Sequence, residues 1–292
     1  MWPSELRCDG DSYNGTGCLQ VQRTTLVTCI YLRMSMDYLI VILVALCGAC
    51  LSFFSGFGLG TLLLPAFMLF FPPPVAIAAT AVVHMLNNVF KLFLVGRYAD
   101  KKIILGFGSL SVAGALLGAW LLSKVLTEHV LLEYAIGQSL FQITFIKLTI
   151  AVLIFIFAVL EIAPWFQSIT ISRRWLPVGG FLSGLFGGLS GHQGALRSAF
   201  LMKSGLSKEA FMGTRVVCAC LVDITRITVY AATIGASWQL MNPWLVGAAT
   251  MAAFSGAWLG NKWMKKTELT IINRIVTVML LLFAVALGLG VI

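Results

Sequence analysis

The sequence predicts an all-α, polytopic transmembrane protein with two inverted repeats, each containing a glycine-broken segment that is re-entrant or forms a hairpin. The first observation is composition: 59% of the 292 residues are apolar and 11% are charged, whereas soluble domains carry roughly 25% charged residues. The second is a series of apolar runs, each close to the about 20 residues that a helix needs to cross a bilayer. The third is that one run in each half of the chain is interrupted by glycines.

The chain divides into four parts. Residues 1–38 form a polar tail without a helical period, which we expect to be disordered or absent from the mature protein. The first transmembrane repeat covers residues 39–160, and the second covers residues 175–292. Residues 161–174 form an amphipathic linker between them, which we expect to face the cytoplasm.

Each repeat has a broken segment followed by full-length helices. In the first repeat the predicted segments are the broken run Leu39–Phe71, a stiff turn at prolines 72–74, helices over Val75–Val95 and Ile103–Leu122, a polar link over Ser123–Gln138 and a helix over Leu140–Leu160. In the second they are the broken run Trp175–Met202 and helices over Glu209–Thr233, Pro243–Gly260 and Leu269–Val291. The two orders match, which indicates an internal duplication.

The charges in the loops predict that the two repeats are inverted. The loop at 97–102 is basic, which marks it as cytoplasmic, whereas its counterpart Ile234–Asn242 carries no charge. Equivalent loops would therefore lie on opposite sides of the membrane. The number of membrane crossings agrees with these loop positions only if each broken segment enters and leaves on one face of the membrane. The alternative, a single kinked crossing, would place Lys203 and Lys208 outside.

The second glycine-rich run, residues 183–194, contains five glycines and four polar side chains within an apolar segment. We expect it to interrupt the helix, because glycine loses more backbone entropy in a helix than other residues. A weaker copy at residues 55–61 precedes Pro65. Broken helices whose ends face a substrate near the membrane midplane are typical of secondary transporters.

Two predicted helices carry polar residues at membrane depth, where an ionisable group is costly and so indicates function. On one, His84, Asn87, Asn88 and Lys91 share a face; on the other, Arg215, Asp223, Arg226 and Tyr230 do. Lys91 and Arg226 are candidate anion ligands. Three alternatives stay open: Lys91 snorkels to the interface, the asparagines bond across helices, and Asp223 pairs structurally with Arg226 or carries a coupling proton.

Polar residues within and just after the second glycine run are further candidates. His192 relays a proton, donates to an anion or is a structural hydrogen-bonding residue. Arg197 is a substrate ligand or a snorkelling anchor. The full set of candidate substrate-binding residues is Lys91, Asn87, Asn88, Arg226, Asp223, His192, Gln193, Gly56, Gly58, Gly60, Gly187, Gly188 and Gly191.

Other classes of function fit the sequence poorly. The net charge of +9 resides mostly in short loops, which argues against a nucleic-acid partner. There is no phosphate-binding loop, no zinc-protease motif and no nucleophile elbow, so we expect no metal, cofactor or catalytic residue. Cys47, Cys50, Cys218 and Cys220 are most simply small buried apolar residues, although an intramembrane thiol enzyme is one rival reading.

The sequence resembles the sulfite exporter TauE/SafE family, also called the 4-toluene sulfonate uptake permease family. The resemblance covers residues 39–292 and rests on the stretches Leu51–Pro65, Ala76–Thr80 with Asn87-Asn88, and Gly179–Gly194 with Gly205-Leu206 and Gly213-Thr214. The resemblance implies two repeated halves in a prokaryotic cytoplasmic membrane. It also implies transport of sulfite or organosulfonates, driven by an ion gradient.

The expected function is therefore secondary transport of a small anion across the lipid bilayer, with no enzyme activity. Lys91 and Arg226 would attract the anion, the glycine breaks would supply backbone donors, and rocking of the two halves would give alternating access. Rivals are an anion channel, a structural membrane subunit and the thiol enzyme. The sequence is compatible with a homo-oligomer and leaves the anion, the direction and the coupling ion open.

Cysteine labelling tests the inverted topology. A cysteine introduced at Ser237, in the uncharged loop, should react with a membrane-impermeant thiol reagent from outside the cell, whereas one introduced at Lys265 should not. Labelling of intact cells and of inverted vesicles measures this. The opposite pattern would refute the inverted arrangement.

Overall fold

A computed structural model describes residues 36–52, 58–125, 129–137, 139–165, 172–202, 204–233, 235–263 and 270–292. Residues Val41–Ile292 make up one compact unit, and the chain up to Ile40 is a separate one. Most of the described residues are helical, as expected of an all-α membrane protein. The predicted tail, apart from its last residues, lies outside the described residues, as does Gly56.

The helices of the first half follow the predicted order. They are α1 (Met36–Leu51), α2 (Leu59–Met68), α3 (Pro73–Val95, extended by a 3-10 turn over Gly96–Tyr98), α4 (Lys101–Ile103, a π-helical turn over Ile104–Gly108, then Ser109–Val125) and α5 (Phe145–Ile162). The prolines do not form a separate turn, because Pro73 and Pro74 occupy the first turn of α3, where their missing N–H groups cost nothing.

The second half contains a 3-10 turn over Arg173–Trp175, α6 (Leu176–Ser190), α7 (Gly194–Met202), α8 (Lys208–Thr233), a 3-10 segment over Gly235–Leu240, α9 (Pro243–Trp263) and α10 (Thr270–Gly288). Among the described residues, three helical segments are long and apolar enough to cross a membrane. They are Pro73–Tyr98, Lys101–Lys124 and Lys208–Thr233.

One β-hairpin departs from the sequence prediction. Strands β1 (Val130–Ile136) and β2 (Ser139–Thr144) pair antiparallel, so the segment predicted as a polar link and the first turn of the next helix form a hairpin instead. Gly137 turns the chain with a φ of +63°, and Tyr134 stacks on Phe141 across the strands. Short apolar runs cannot be assigned to helix or strand by periodicity alone, which explains the error.

The glycines before residue 191 do not unwind the helix, so the prediction of a break over the whole run 183–194 is wrong. α6 continues to Ser190, and only residues 191–193 separate it from α7. A Cβ atom on Gly184 would overlap the carbonyl oxygen of Ser111 in α4, and one on Gly118 would overlap that of Leu185 in α6. These glycines therefore allow two helix backbones to touch, as small residues do in membrane proteins.

Another glycine of this kind, Gly256, lies at the contact between α1 and α9. A Cβ atom on Gly256 would overlap the carbonyl oxygen of Leu46. The first glycine-broken segment thus packs against a helix of the second half, as the second broken segment packs against α4 of the first. Each half therefore supplies a helix that holds the other half's broken segment in place.

α3 and α8 cross the middle of the protein in opposite directions. His84 of α3 contacts Asp223 of α8, whereas Val95, further along α3, lies beside Gly213 near the start of α8. Both helices bury polar residues along this contact. The shared face of α3 and α8 is therefore where the functional site has to be sought.

α7 folds back along α6. Arg173, just before α6, donates a hydrogen bond to the carbonyl oxygen of Ser204, just after α7. A Cβ atom on Gly179, near the start of α6, would overlap the ring of Phe200, near the end of α7. The two ends of this broken segment are therefore neighbours in space.

Substitution of Gly184 tests the backbone contact between α4 and α6. Gly184→Ala should destabilise the protein by about 1–3 kcal/mol, because the added methyl group has no free space. Gly247→Ala is the matched control: nothing lies within 4 Å of its Cβ position, so it should be neutral or stabilising. Thermal unfolding of both variants in detergent measures the difference, and equal midpoints would contradict the packing argument.

Candidate functional site

The centre of the α3–α8 contact is the carboxylate of Asp223, which is fully buried. Its Oδ2 atom lies 2.7 Å from Nδ1 of His84 and accepts a hydrogen bond of 2.8 Å from Nδ2 of Asn88. Its Oδ1 atom accepts from Nε of Arg226 at 3.0 Å and from Nε2 of Gln193 at 3.3 Å. One carboxylate therefore joins α3, α8 and the break between α6 and α7.

The buried charges around this carboxylate do not balance. Among the described residues, Asp223 is the only carboxylate that is buried, whereas Lys91, Arg197, Arg215 and Arg226 are all buried cations, each at most 7% exposed. Burial of a charge without compensation costs several kcal/mol. An excess of positive charge at this depth favours an anion as the species that completes the site.

Three of these cations surround one cavity. Its volume is about 20 Å³, and its lining includes Lys91, Arg197 and Arg215 together with His84 and Asn88. Nε of Arg197 is buried and has no hydrogen-bond partner, while Nη1 donates to Oε1 of Gln193 at 2.8 Å. Arg226 does not line the cavity; its guanidinium group lies against Asp223 instead.

Helix α2 begins at the same cavity. Gly58, its N-cap residue, and Leu59, its first residue, both line the space, and no side chain caps this end of the helix. The first N–H groups of a helix have no partner within it and carry partial positive charge. An anion in the cavity would therefore meet backbone donors as well as cationic side chains.

The end of α1 holds the cations in place. Nζ of Lys91 donates to Oγ of Ser52, and Nη1 of Arg215 donates to the Ser52 carbonyl oxygen at 3.3 Å. The amide of Asn87, oriented to satisfy both its atoms, donates to the carbonyl oxygen of Ala253 at 3.1 Å and accepts from Lys91 at 3.2 Å. Ser52 and Asn87 thus hold the Lys91 side chain inside the protein, and it does not snorkel. Arg197, at 3% exposure, does not either.

The break between α6 and α7 faces the start of α2. Gly191 ends α6 with a φ of +79°, a conformation that glycine adopts without strain. A Cβ atom on Gly60 would lie 3.5 Å from the Gly191 carbonyl oxygen. His192 stacks on Phe157 with ring centroids 5.8 Å apart, and its Nδ1 lies 3.0 Å from Oγ of Ser190.

A family model described as sulfite exporter TauE/SafE matches residues 41–287 of the chain. The chain belongs to the sulfite exporter TauE/SafE family. It is accordingly a multi-pass membrane protein of a transporter family, in agreement with its apolar helices. No curated protein and no solved structure matches the sequence.

The structure brings most of the candidate residues of this TauE/SafE family member together. Lys91, Asn88 and Gly58 line the cavity, and Asp223, Gln193 and Arg226 form the network beside it. The remaining members of that neighbourhood are Asn87, Gly60, Gly191 and His192. Gly187 and Gly188 lie inside α6, where their N–H groups belong to the helix. The Cβ position of Gly187 is 3.0 Å from Cβ of Gln193, and the Gly188 carbonyl oxygen accepts from the Tyr230 hydroxyl group.

Four polar residues that line the cavity were absent from the predicted set: Ser52, His84, Arg197 and Arg215. Arg197 and Arg215 were visible in the sequence as cations within or next to apolar runs, and each could have been included on that ground. Ser52 carried no such signal, because a serine near the end of a helix is common. Its role depends on α1 ending beside α3 and α8.

None of Cys47, Cys50, Cys218 and Cys220 lines the cavity. Cys47 is exposed and Cys50 is half-buried, so the prediction that both pairs are buried is wrong for the first pair. Cys218 is buried in an apolar cluster with Phe107 and Leu201, and Cys220 is buried on the same helix. No group of three or more potential metal ligands occurs in the part of the chain that the structure describes. These placements favour a packing role for Cys218.

Double substitution tests the dependence of Arg226 on Asp223. Asp223→Asn alone should destabilise the protein by about 3–5 kcal/mol, because it leaves a buried guanidinium group without its counter-charge. Asp223→Asn combined with Arg226→Gln should recover part of this loss. Thermal unfolding in detergent of the wild type, both single variants and the double variant gives the coupling; strictly additive losses would contradict a structural ion pair.

Proposed function

We propose that this protein is a secondary transporter of small inorganic oxyanions, with sulfite as the first candidate, in the cytoplasmic membrane. The observation that carries the proposal is the cavity lined by Lys91, Arg197 and Arg215 at the start of α2. Guanidinium groups offer planar sets of N–H donors that match oxyanions, and an ammonium group adds a compact charge. Membership in the sulfite exporter family supports the same class of substrate.

The size of the cavity supports an inorganic anion over a bulky organosulfonate. Its volume of about 20 Å³ is near the 10–15 Å³ that a single water molecule requires on this scale. Sulfite could enter after a small outward shift of the flexible lysine and arginine side chains. An aryl sulfonate would require the helices that line the cavity, α2, α3, α7 and α8, to separate.

The arrangement of the helices supports inverted repeats and an alternating-access mechanism. α3 and α8 hold the same place in the order of the two halves, and they run antiparallel. Equivalent helices with opposite directions are what an inverted duplication produces. The cavity lies at the contact between the halves, so rocking of one half against the other would expose it to each side in turn.

The ends of the second broken segment support a hairpin that enters and leaves on one face of the membrane. Arg173 and Ser204, which flank the segment, are joined by a hydrogen bond. This arrangement supports a position of Lys208 on the same side of the membrane as Arg173, in agreement with the distribution of basic loops. A proton is the first coupling ion to test, since His84 both lines the cavity and contacts Asp223.

Labelled sulfite flux tests the function. Proteoliposomes containing the wild type should show saturable flux that rises with an imposed pH gradient. Arg197→Gln should raise the KM for sulfite about tenfold to a hundredfold, because it removes charge-assisted hydrogen bonds. Lys262→Gln is the control: this cation is exposed and lies 5.4 Å from the ring of Trp258, so the variant should transport like the wild type.

Three results would contradict the proposal in different ways. Flux that grows linearly with sulfite concentration would identify a channel. Folded protein without sulfite flux would exclude sulfite as the substrate. Equal flux in Arg197→Gln and the wild type would remove the cavity from the transport path.

A further inference from the structure

A second group of buried donors lies outside the cavity. Oγ1 of Thr80, Nε2 of His192 and Nη2 of Arg226 are all buried without a hydrogen-bond partner. The three residues are at most 2% exposed. Nη2 of Arg226 is 2.9 Å from Oδ1 of Asp223, yet neither of its N–H bonds is directed at an acceptor. Unpartnered buried polar atoms are rare, and each one calls for a ligand or a water.

The residues that carry these atoms are neighbours at the point where the two glycine breaks meet. The Cβ position of Gly60 is 3.7 Å from Cγ2 of Thr80 and 3.5 Å from the carbonyl oxygen of Gly191. The Cβ position of Gly191 is in turn 2.6 Å from Nη1 of Arg226. His192 is the next residue along the chain. A side chain at Gly191 would displace the guanidinium group, so glycine leaves that space to Arg226.

The chemistry of this group suits an oxyanion. The guanidinium group supplies a positive charge and N–H donors, and the Thr80 hydroxyl group supplies another donor. The Ser190 hydroxyl group has two acceptors within reach, the Phe186 carbonyl oxygen at 3.3 Å and Nδ1 of His192 at 3.0 Å. When it donates to Nδ1, the imidazole carries its hydrogen at Nε2 and adds a further donor.

Asp223 separates this group from the cavity. Its Oδ2 atom binds His84 and Asn88, which line the cavity, and its Oδ1 atom binds Arg226. We propose that Thr80, His192 and Arg226 form a second oxyanion-binding station, in series with the cavity and divided from it by the Asp223 carboxylate. This inference rests on the proposed function. An anion at the second station would accept from Nη2 of Arg226 while Nε keeps its hydrogen bond to Asp223.

The number of bound anions tests this proposal. Equilibrium dialysis of the purified full-length protein in detergent against radiolabelled sulfite should give two sulfite ions per chain at saturation. The double variant Thr80→Val, His192→Asn should bind one, because valine lacks the hydroxyl group and asparagine lacks an atom at Nε2. Arg197→Gln should also bind one, at the second station.

Thr250→Val is the matched control for loss of a buried hydroxyl group. Thr250 donates only to the carbonyl oxygen of Val246 within α9, so this variant should bind two ions, and size-exclusion profiles should show that all variants are folded. One ion in the wild type, lost in Arg197→Gln and retained with unchanged Kd in the double variant, would overturn the second station and leave the proposed function intact. No binding in the folded wild type would overturn both.

Discussion

The carboxylate of Asp223 is the interaction on which the centre of this protein depends. It holds α3 to α8 through His84 and Asn88, and it holds the break between α6 and α7 through Gln193. At the bilayer centre a carboxylate is costly unless its oxygen atoms are fully hydrogen-bonded. Asp223 meets this requirement by drawing partners from three separate elements. The hydrogen bonds that lower the free-energy cost of burying the Asp223 carboxylate therefore also fix the relative positions of the helices that carry the site.

Glycines make this convergence geometrically feasible. The backbones are in direct contact where α6 touches α4 and where α9 touches α1. Two helix axes cannot approach this closely when larger side chains lie between them. Each contact joins a broken segment of one half to an intact helix of the other half, which holds that broken segment in position. The polar groups at Gly58 and Gly191 are therefore presented to the interior and not to lipid, where unpaired backbone groups are not tolerated.

The excess of buried cations favours an anion as the ligand of the proposed site. Four buried cations share one buried carboxylate among the described residues, and in a medium of low dielectric constant each additional positive charge strongly raises the affinity for an anion. Packing around Ser52 prevents Lys91 and Arg215 from turning outward to the membrane surface. In the proposed arrangement of two stations these charges form two groups, so that an anion passing from one to the other would stay close to a cation.

The sequence alone determined the membrane class, the number and order of the main helices and most of the residues near the site, because apolar length, loop charge and buried ionisable residues are local signals. It misassigned the hairpin at residues 130–144, since a short apolar run fits a strand or a helix. It also predicted that the glycines of α6 unwind the helix, whereas they serve packing. A glycine required by a close neighbouring helix and a glycine required by a break cannot be told apart in the sequence alone. Only the tertiary structure decided that Arg226 faces Asp223 while Arg197 and Arg215 face the cavity, because distances between helices depend on contacts far apart in the chain.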